Sequence, residues 1–430
     1  MKERAVRRWA GLLRARLPEV ALEEVPDPRA REGRWSLAQI LRATLVGLMA
    51  GCRSLSEAEG LTEGLAPPMR RRLGLPRRLA DTTARDALCR VPLEGLRAAL
   101  HRLVRAAWRR KALAPVGLPF GVVALDGKVT ALPTLNHPLV QNKHPEDGLP
   151  YGLVRTVTCA LVSAQGRPCL DAIPMPGDTN EVAFFQPVFE SLVATYGGLF
   201  DLVSYDAGGY SRANANAVIT AGKHYLFALK DEHRAMCRFA DGQLVLQEEI
   251  AGRTEDVIDN RTTVVRTLKL LEADPTATCS DRGASGESVW PHAKSFLSVE
   301  YVKLRGGVMV ERDERMYVCS LEPSRLTPAQ WLLLVRSHWG VENNAHHTLD
   351  TAFAEDDRPW IAADPHGMLA VLILRRIAYT LLALYRAVTL RSEEGRATRW
   401  KALLQSMRDV LVAATEEQLA GLHEIAAATR

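Results

Sequence analysis

The segment Arg336-Ser-His-Trp-Gly-Val-Glu-Asn-Asn-Ala-His-His-Thr-Leu-Asp350 is predicted to form one helix, with Glu342 near its middle. Two earlier segments each add a further acidic residue to the pattern. Each is a short apolar run that ends on an aspartate, namely Val122-Val-Ala-Leu-Asp126 and Leu202-Val-Ser-Tyr-Asp206. A carboxylate at the end of a buried strand thus occurs twice, and a helical glutamate follows. The pattern predicts a site built from Asp126, Asp206 and Glu342.

The elements around the two aspartates follow an order that is typical of a mixed α/β sheet. We predict strands at 120–126, 151–163 and 167–175, a helix at 180–196, a strand at 199–205, a helix at 211–221 and a strand at 224–229. Three strands, a helix and then alternating strands and helices describe an RNase H-like mixed sheet. Ligands of such sheets bind at the carboxyl ends of the strands, where both aspartates fall.

The rest of the chain divides into regions of different pattern. Residues 1–115 are predicted to form a helical domain that binds DNA or, alternatively, an accessory cap on the catalytic core. Residues 116–233 are the first part of that core, and residues 234–325 are a β-rich insertion with strands at 262–271, 295–304 and 307–321. Residues 326–430 hold the Glu342 helix, which Thr327 caps and Pro328 begins, and a C-terminal helical tail.

Composition is that of an ordinary globular protein of 430 residues, with 47% hydrophobic and 24% charged residues. Seven dispersed cysteines indicate reduced thiols and an intracellular protein. The apolar stretches at 37–55 and 368–390 contain arginines, which are costly in lipid, so we expect buried helices and no membrane partner. The expected location is cytoplasmic, in association with the bacterial nucleoid.

Positive charge is concentrated between Arg70 and Lys111, where 13 Lys and Arg stand against three acidic residues. The net charge of the whole chain is only +5, so the remainder is net acidic. Such a block favours a polyanionic partner, although a solvated arginine-rich helix face is the alternative. The arginines that we expect to bind DNA are Arg70, Arg71, Arg72, Arg77, Arg78 and Arg85.

Three carboxylates that converge without a cation repel one another. Two Mg²⁺ ions about 3.5–4 Å apart relieve that repulsion, and they can activate a nucleophile and stabilise a leaving oxygen in phosphoryl transfer. We expect Asp126 to bridge both ions, Asp206 to hold one and Glu342 the other, with Mn²⁺ as a substitute. Lys128 and Lys230 are expected to contact phosphate.

At these residues the chain resembles the Asp-Asp-Glu (DDE) insertion-sequence transposases that carry an inserted β-domain, and more closely their subgroup with a His-Trp-x-Ile-Glu-Asn third motif. The third motif is matched by His338-Trp339-Gly340-Val341-Glu342-Asn343 and continues through His346, Leu349-Asp350, Phe353 and Glu355-Asp356. The first and second motifs are matched by Leu125-Asp126-Gly127-Lys128 and Asp206-Ala207, and the family's intervening Asn-Glu by Asn180-Glu181.

The resemblance implies a DNA transposase that cuts the ends of its element and joins them to target DNA. Its partners are then double-stranded DNA, both terminal inverted repeats and target, and a second copy of the chain in a homodimer on DNA. Arg336, His338 and His346 join the expected DNA contacts. A zinc site on His338, Glu342 and His346 is disfavoured, because zinc would not explain the two aspartates.

The chain departs from a Tyr-x2-Arg-x3-Glu-x6-Lys signature that many relatives carry around the third acid. Val335, His338 and Leu349 stand where the Tyr, Arg and Lys are expected, and Arg336 is a possible substitute. The absence of these signature residues motivates the rival hypothesis of a domesticated, non-catalytic DNA-binding protein that kept the transposase fold. For Trp339 and Trp360, core packing is favoured over stacking on bases.

Overall fold

The computed structural model describes residues 3–29, 33–206, 209, 211–230, 235–273 and 292–419. Within these ranges a mixed sheet of ten strands carries helices on both faces. The strands are β1 (Val122–Leu132), β2 (Val140–Lys143), β3 (Tyr151–Leu161), β4 (Cys169–Met175), β5 (Leu202–Tyr205), β6 (His224–Leu229), β7 (Gly252–Asp259), β8 (Thr262–Glu272), β9 (Ser295–Arg305) and β10 (Val308–Cys319).

The strands are ordered β2-β3-β1-β5-β6-β10-β9-β8-β7, and β4 pairs with β3 off this path. Strand β1 is antiparallel to β3 and parallel to β5, and β5 is parallel to β6. The mixed α/β class predicted from the sequence is therefore confirmed. Strand β10 pairs antiparallel with β6, so the strands of the predicted insertion extend the edge of the same sheet.

Helices precede the sheet, cross over between its strands and close the chain. They are α1 (Glu3–Ala15), α2 (Leu37–Met49), α3 (Leu55–Glu63), α4 (Pro67–Leu73), α5 (Asp81–Leu88), α6 (Leu93–Arg109), α7 (Glu181–Tyr196), α8 (Arg212–Thr220), α9 (Ala235–Leu246), α10 (Pro328–His338), α11 (His347–Thr351), α12 (Pro365–Leu384), α13 (Glu393–Arg396) and α14 (Trp400–Ala413). Short 3-10 helices span Leu17–Val20, Leu22–Glu24 and Pro323–Arg325, and π-helical turns span Val341–His346 and Tyr385–Thr389.

Helix α12 lies at the centre of the larger hydrophobic core, where it packs against β4 of the sheet and against α2 and α6. The stretch Pro365–Thr389 is long and apolar enough to cross a membrane, with a mean hydropathy of 1.8, but its most apolar window is wholly buried inside the protein. The prediction of a buried helix at 368–390 is confirmed. The N-terminal helices therefore share one core with the sheet.

Strand β1 and the segment after residue 234 differ from the predictions. The predicted strand end at Asp126 is wrong, because β3 pairs with β1 continuously from Val123 to Leu132 and holds it extended beyond the aspartate. The segment predicted as a β-rich insertion, residues 234–325, begins with helix α9. Its buried residues Met236, Ala240 and Leu244 recur every four positions, which is a helical spacing.

The prediction of one helix over Arg336–Asp350 is wrong, because the segment consists of three joined pieces. Helix α10 ends at His338, a π-helical turn spans Val341–His346, and α11 follows directly. At its start, α10 has the predicted cap: the Thr327 hydroxyl accepts a hydrogen bond from the Gln330 amide, and the Gln330 side chain accepts one from the Thr327 amide.

Replacing Thr327 with alanine is expected to lower the free energy of unfolding by about 1 kcal/mol, because an amide at the start of α10 loses its acceptor. Thr327→Ser keeps the hydroxyl and should remain close to the wild type. Chemical denaturation of the three proteins checks this, and equal midpoints for the alanine and serine variants would contradict it.

Candidate active site

The parallel pairing of β1 with β5 sets the position of the two aspartates. Val122 pairs with Leu202, Val123 with Val203 and Ala124 with Ser204. Continued by two residues, the same register places Asp126 level with Asp206. Side chains alternate between the faces of a strand, so both aspartates share the face of Ala124 and Ser204. The sheet therefore presents two carboxylates side by side, just beyond the last pair of this ladder.

A cleft of about 700 Å³ opens over these aspartates, and Glu342 lines it too. The structure thus brings together the three carboxylates that the sequence singled out. Of the residues expected to contact DNA, this cleft also contains Lys128, Lys230, His338 and His346.

Glu342 reaches the cleft from the π-helical turn Val341–His346 and is exposed. A π-helical turn inserts a residue into a helix and re-aims the side chains around it, and such turns are frequent at functional sites. Val341 and Ala345 of this turn are buried, so packing holds its other side. The distortion therefore presents the carboxylate to solvent while the turn stays anchored.

The two histidines of the third motif face different partners. His346 Nδ1 lies 2.9 Å from Asp126 Oδ2, and His338 Nδ1 lies 3.2 Å from the Ser204 hydroxyl. Burial lowers the pKa of His338 to about 4, although the charge of Asp126 opposes that shift. His338 is thus a neutral buried residue behind the aspartates, and His346 orients the Asp126 carboxylate. They do not point at one shared position, as a zinc site would require.

Lys128 lies on the same strand face as Asp126 but is almost fully buried. Its ammonium group contacts Asp350, lies 2.9 Å from Asp356 Oδ1 and lies 3.3 Å from Glu355 Oε1. Burial lowers the pKa of Lys128, but these carboxylates outweigh burial and hold it above its usual value. The Lys of the first motif is therefore bound to the acids that continue the third motif.

Glu355 extends this network into the core, where it pairs with Arg376 of α12. Burial alone would raise the pKa of Glu355, but Arg376, Lys128 and Arg375 lower it to about 2. The network ties β1 to α12 beneath the cleft. In the sequence, Asp350, Glu355 and Asp356 of this network belong to the third motif.

A second cleft, of about 510 Å³, adjoins the first and shares Glu342, Arg315 and Trp339 with it. The Arg315 guanidinium lies 3.7 Å from the centre of the Trp339 ring, and the indole NH donates to the Tyr317 hydroxyl. Trp339 is thus half-buried at a cleft rim, whereas Trp360 belongs to the core. Arg315, on β10, had no signal in the sequence beyond strand alternation.

Arg336 lines the second cleft, and its guanidinium lies 3.0 Å from Asp256 of β7. The six N-terminal arginines line neither of these two clefts. They lie on and around α4 and α5. Arg77 and Arg85 are exposed, and Arg72 is half-buried. The other three have partners within the protein: Arg71 pairs with Glu416, Arg78 pairs with Glu59, and Arg70 donates to the carbonyls of Thr62 and Glu63.

The larger cleft is suited to hard cations. Acidic side chains outnumber basic ones along it; they are Asp126, Asp206, Asp313, Glu314, Glu342, Asp350 and Asp356, against Lys128, Lys230 and Arg315. Carboxylate oxygens are the ligands that Mg²⁺ prefers. Among the described residues, no three His, Cys, Asp or Glu side chains are gathered around a single point. Like-charge repulsion keeps such groups apart, and an ion that takes two protein carboxylates completes its shell with water and phosphate.

Comparisons with known proteins give little that bears on function. No family model matches the chain, and no curated protein matches it. Among solved structures, the chain is similar to the piggyBac transposase in a synaptic complex with hairpin DNA, with a TM-score of 0.44 and 10% sequence identity. The match covers 97% of this chain and 84% of that one. The geometry of the clefts is therefore the basis for proposing a function.

Replacing Glu355 with glutamine is expected to lower the free energy of unfolding by about 3–5 kcal/mol, because Arg376 and Lys128 lose a buried counter-charge. The folded pKa is depressed from 4.5 to about 2. The contribution of Glu355 to the free energy of unfolding is therefore complete above pH 4.5, and it is lost as the pH falls toward 2.

Urea unfolding at several pH values checks the size and the pH dependence of this effect. The Gln variant should lack the component that the wild type loses below pH 4.5. Glu393→Gln, an exposed substitution on α13, should be nearly neutral. Wild-type stability in Glu355→Gln at pH 7 would refute the role of the network.

The His338 ring is expected to titrate near pH 4 rather than near its ordinary value of 6.5, because protonation would place a charge in a buried site. Proton NMR of the imidazole signals measures this, and the signal that disappears in His338→Gln assigns the resonance. A midpoint near 6.5 for that signal would show that the ring is not held neutral.

Proposed function

We propose that this chain is a DNA transposase that uses Asp126, Asp206 and Glu342 to cut the ends of its element and to join them to target DNA. The observation that carries the proposal is the convergence of these three carboxylates on one cleft. Asp126 lies on β1, Asp206 directly follows the parallel neighbour β5, and Glu342 projects from a π-helical turn that packs against the same sheet.

The strand order supports the finer assignment of an RNase H-like core. Strands β4, β3, β1, β5 and β6 are adjacent in that sequence, with antiparallel pairing up to β1 and parallel pairing after it. Strands β7–β10 then correspond to an inserted β-region between the core and the Glu342 turn. This arrangement explains why residues far apart in the chain meet at one edge.

The charge of the larger cleft determines how it would accept DNA. A phosphodiester is repelled by a cleft rich in carboxylates unless cations intervene. Asp126 and Asp206 would hold one Mg²⁺ and Asp126 and Glu342 a second, with Mn²⁺ as a substitute. Such a metal pair would supply the activated nucleophile and stabilise the departing oxygen. The protein itself holds the Asp126 carboxylate in place through its contact with His346. It also keeps the buried His338 uncharged.

Basic groups at the rims would position the DNA backbone. Lys230 is exposed at the larger cleft, and Arg315 lies where the two clefts meet. The N-terminal arginines would contact DNA away from the carboxylates, in the terminal inverted repeats. Two ends must be cut in one event, so we propose a homodimer on DNA. Lys128 is paired with Asp350 and Asp356. We therefore propose that it holds the residues beneath the cleft in position.

The test is cleavage and joining of DNA that carries the sequences flanking this gene, with Mg²⁺ or Mn²⁺. Asp126→Asn and Glu342→Gln should each reduce both products by about a hundredfold or more, because the loss of one ligand removes a few kcal/mol of transition-state stabilisation. Asp201→Asn is the matched control. It removes an exposed carboxylate just before β5, at the opposite end of that strand.

DNA binding is measured in parallel by gel shift at fixed salt concentration, and all variants should retain it. Binding without cleavage in the wild type would favour the domesticated DNA-binding protein. Cleavage that survives in Asp126→Asn or Glu342→Gln would show that the active site lies elsewhere.

A further inference from the structure

The second cleft is charged differently from the cleft that holds the three carboxylates. Among the described residues that line it, four arginines stand against three acidic residues, whereas acidic residues predominate in the first cleft. The arginines come from separate elements: Arg167 from the turn between β3 and β4, Arg266 from β8, Arg315 from β10 and Arg336 from α10. Both clefts share Glu342, so the basic cleft continues the acidic one.

The acidic residues neutralise only part of the positive charge in the second cleft. Arg266 Nη1 lies 2.5 Å and Arg336 Nη1 lies 3.0 Å from the same atom, Asp256 Oδ2. Two guanidinium groups thus share one carboxylate, which leaves positive charge uncompensated. The three acidic residues that line the cleft have other contacts: Asp313 pairs with Arg315, Glu311 pairs with Lys303, and Glu342 also faces the first cleft.

Arg167 contributes a further positive charge beside the turn that carries Glu342. A Cβ atom built on Gly340 would lie 3.7 Å from Arg167 Cδ. The Arg167 backbone is left-handed, with a φ of 45°, and its carbonyl accepts a hydrogen bond from the Tyr379 hydroxyl. Such strained residues cluster at ligand sites. Within the described part of the chain, no carboxylate or hydrogen-bond acceptor pairs with the Arg167 guanidinium.

Aromatic rings lie among these arginines. They belong to Tyr301, Tyr317 and Trp339. The Arg266 guanidinium lies 5.5 Å from the centre of the Tyr301 ring, and Arg315 stacks on Trp339. Proteins bind single strands in grooves that combine positive charge with aromatic faces, because guanidinium groups hold phosphates and rings stack on bases. A cleft of about 510 Å³ accepts ligands of small-molecule dimensions, so a single strand fits it and a duplex does not.

We propose that the second cleft binds one unpaired DNA strand beside the phosphate that is cut, with Arg167, Arg266 and Arg336 on the backbone of that strand. The inference rests on the proposed function, because it names the form of the DNA that enters the same site. It follows that the duplex opens next to the cut. The acidic cleft then holds the reacting phosphate, and the basic cleft holds the strand that continues from it.

Fluorescence anisotropy of a short labelled oligothymidine tests the proposal in EDTA, where neither metal nor turnover contributes. Arg167→Gln should weaken binding by about tenfold, because a charged hydrogen-bond donor is lost. It should also reduce the slope of log affinity against log salt concentration by about 0.7, the value for one phosphate contact on a single strand. Arg167→Lys keeps the charge without the planar fork and should bind with intermediate affinity.

Arg253→Gln is the matched control. Arg253 is exposed on the same β-sheet, and by alternation it faces away from Asp256 on β7. Its replacement should leave the affinity for oligothymidine unchanged. Circular dichroism spectra and thermal unfolding show that each variant is folded.

Asp256→Asn should change the affinity in the opposite direction. It releases Arg266 and Arg336 from their shared carboxylate, so oligothymidine should bind about two- to fivefold more tightly, on the scale of an exposed ion pair. If these arginines only held β7 and α10 together, the same substitution would leave binding unchanged or weaken it.

The outcomes separate this proposal from the proposed function. If Asp126→Asn abolishes cleavage while Arg167→Gln and Asp256→Asn bind oligothymidine like the wild type, the strand site is refuted and the proposed function stands. If Arg167→Gln weakens the binding of a duplex of equal length as much, the assignment to an unpaired strand is refuted. Cleavage that survives in Asp126→Asn refutes both proposals. Weaker binding in Arg167→Gln together with tighter binding in Asp256→Asn supports the strand site.

Discussion

Strands β1 and β5 pair in parallel over only three positions, from Val122–Leu202 to Ala124–Ser204, and then stop. This short ladder determines the site in two ways. Its register brings Asp126 level with Asp206, and its end leaves the strands unpaired where the carboxylates stand. Had the ladder continued, backbone hydrogen bonds would close the sheet at this point. The antiparallel partner β3 makes the interruption tolerable, because it pairs with β1 as far as Leu132.

Charge is distributed across this edge in two layers. The exposed layer is rich in carboxylates, and the buried layer beneath it is neutralised internally by Lys128, Glu355 and Arg376. Buried ion pairs contribute little net stability against well-packed apolar groups, but they are costly to break. The buried network therefore serves to fix β1 relative to α12 and the residues after Glu342. The buried residues thus hold the site in position, and the exposed carboxylates line the cleft.

The π-helical turn shows how local distortion serves this arrangement. In a regular helix, residues four apart share a face, so His346 would lie on the same face as Glu342, and Val341 and Ala345 would share the neighbouring face. The wider turn allows Val341, Ala345 and His346 to pack inward while Glu342 stays exposed. Packing against the sheet stabilises a backbone form that intrinsic helix propensity does not favour.

The sequence by itself determined the types of element and the three acids, because apolar periodicity and capping residues such as Thr327 are local signals. Strand β6, helix α7 and the start of α10 follow from them almost residue by residue. Helix α9 had a local signal, the four-residue spacing of Met236, Ala240 and Leu244. The length of β1 and the π-helical turn depended on partners distant in the chain, so only the tertiary structure decided them. The same holds for Lys128. Whether a charged side chain faces DNA, a buried counter-ion or another carboxylate is set by what packs across from it, and no local pattern carries that information.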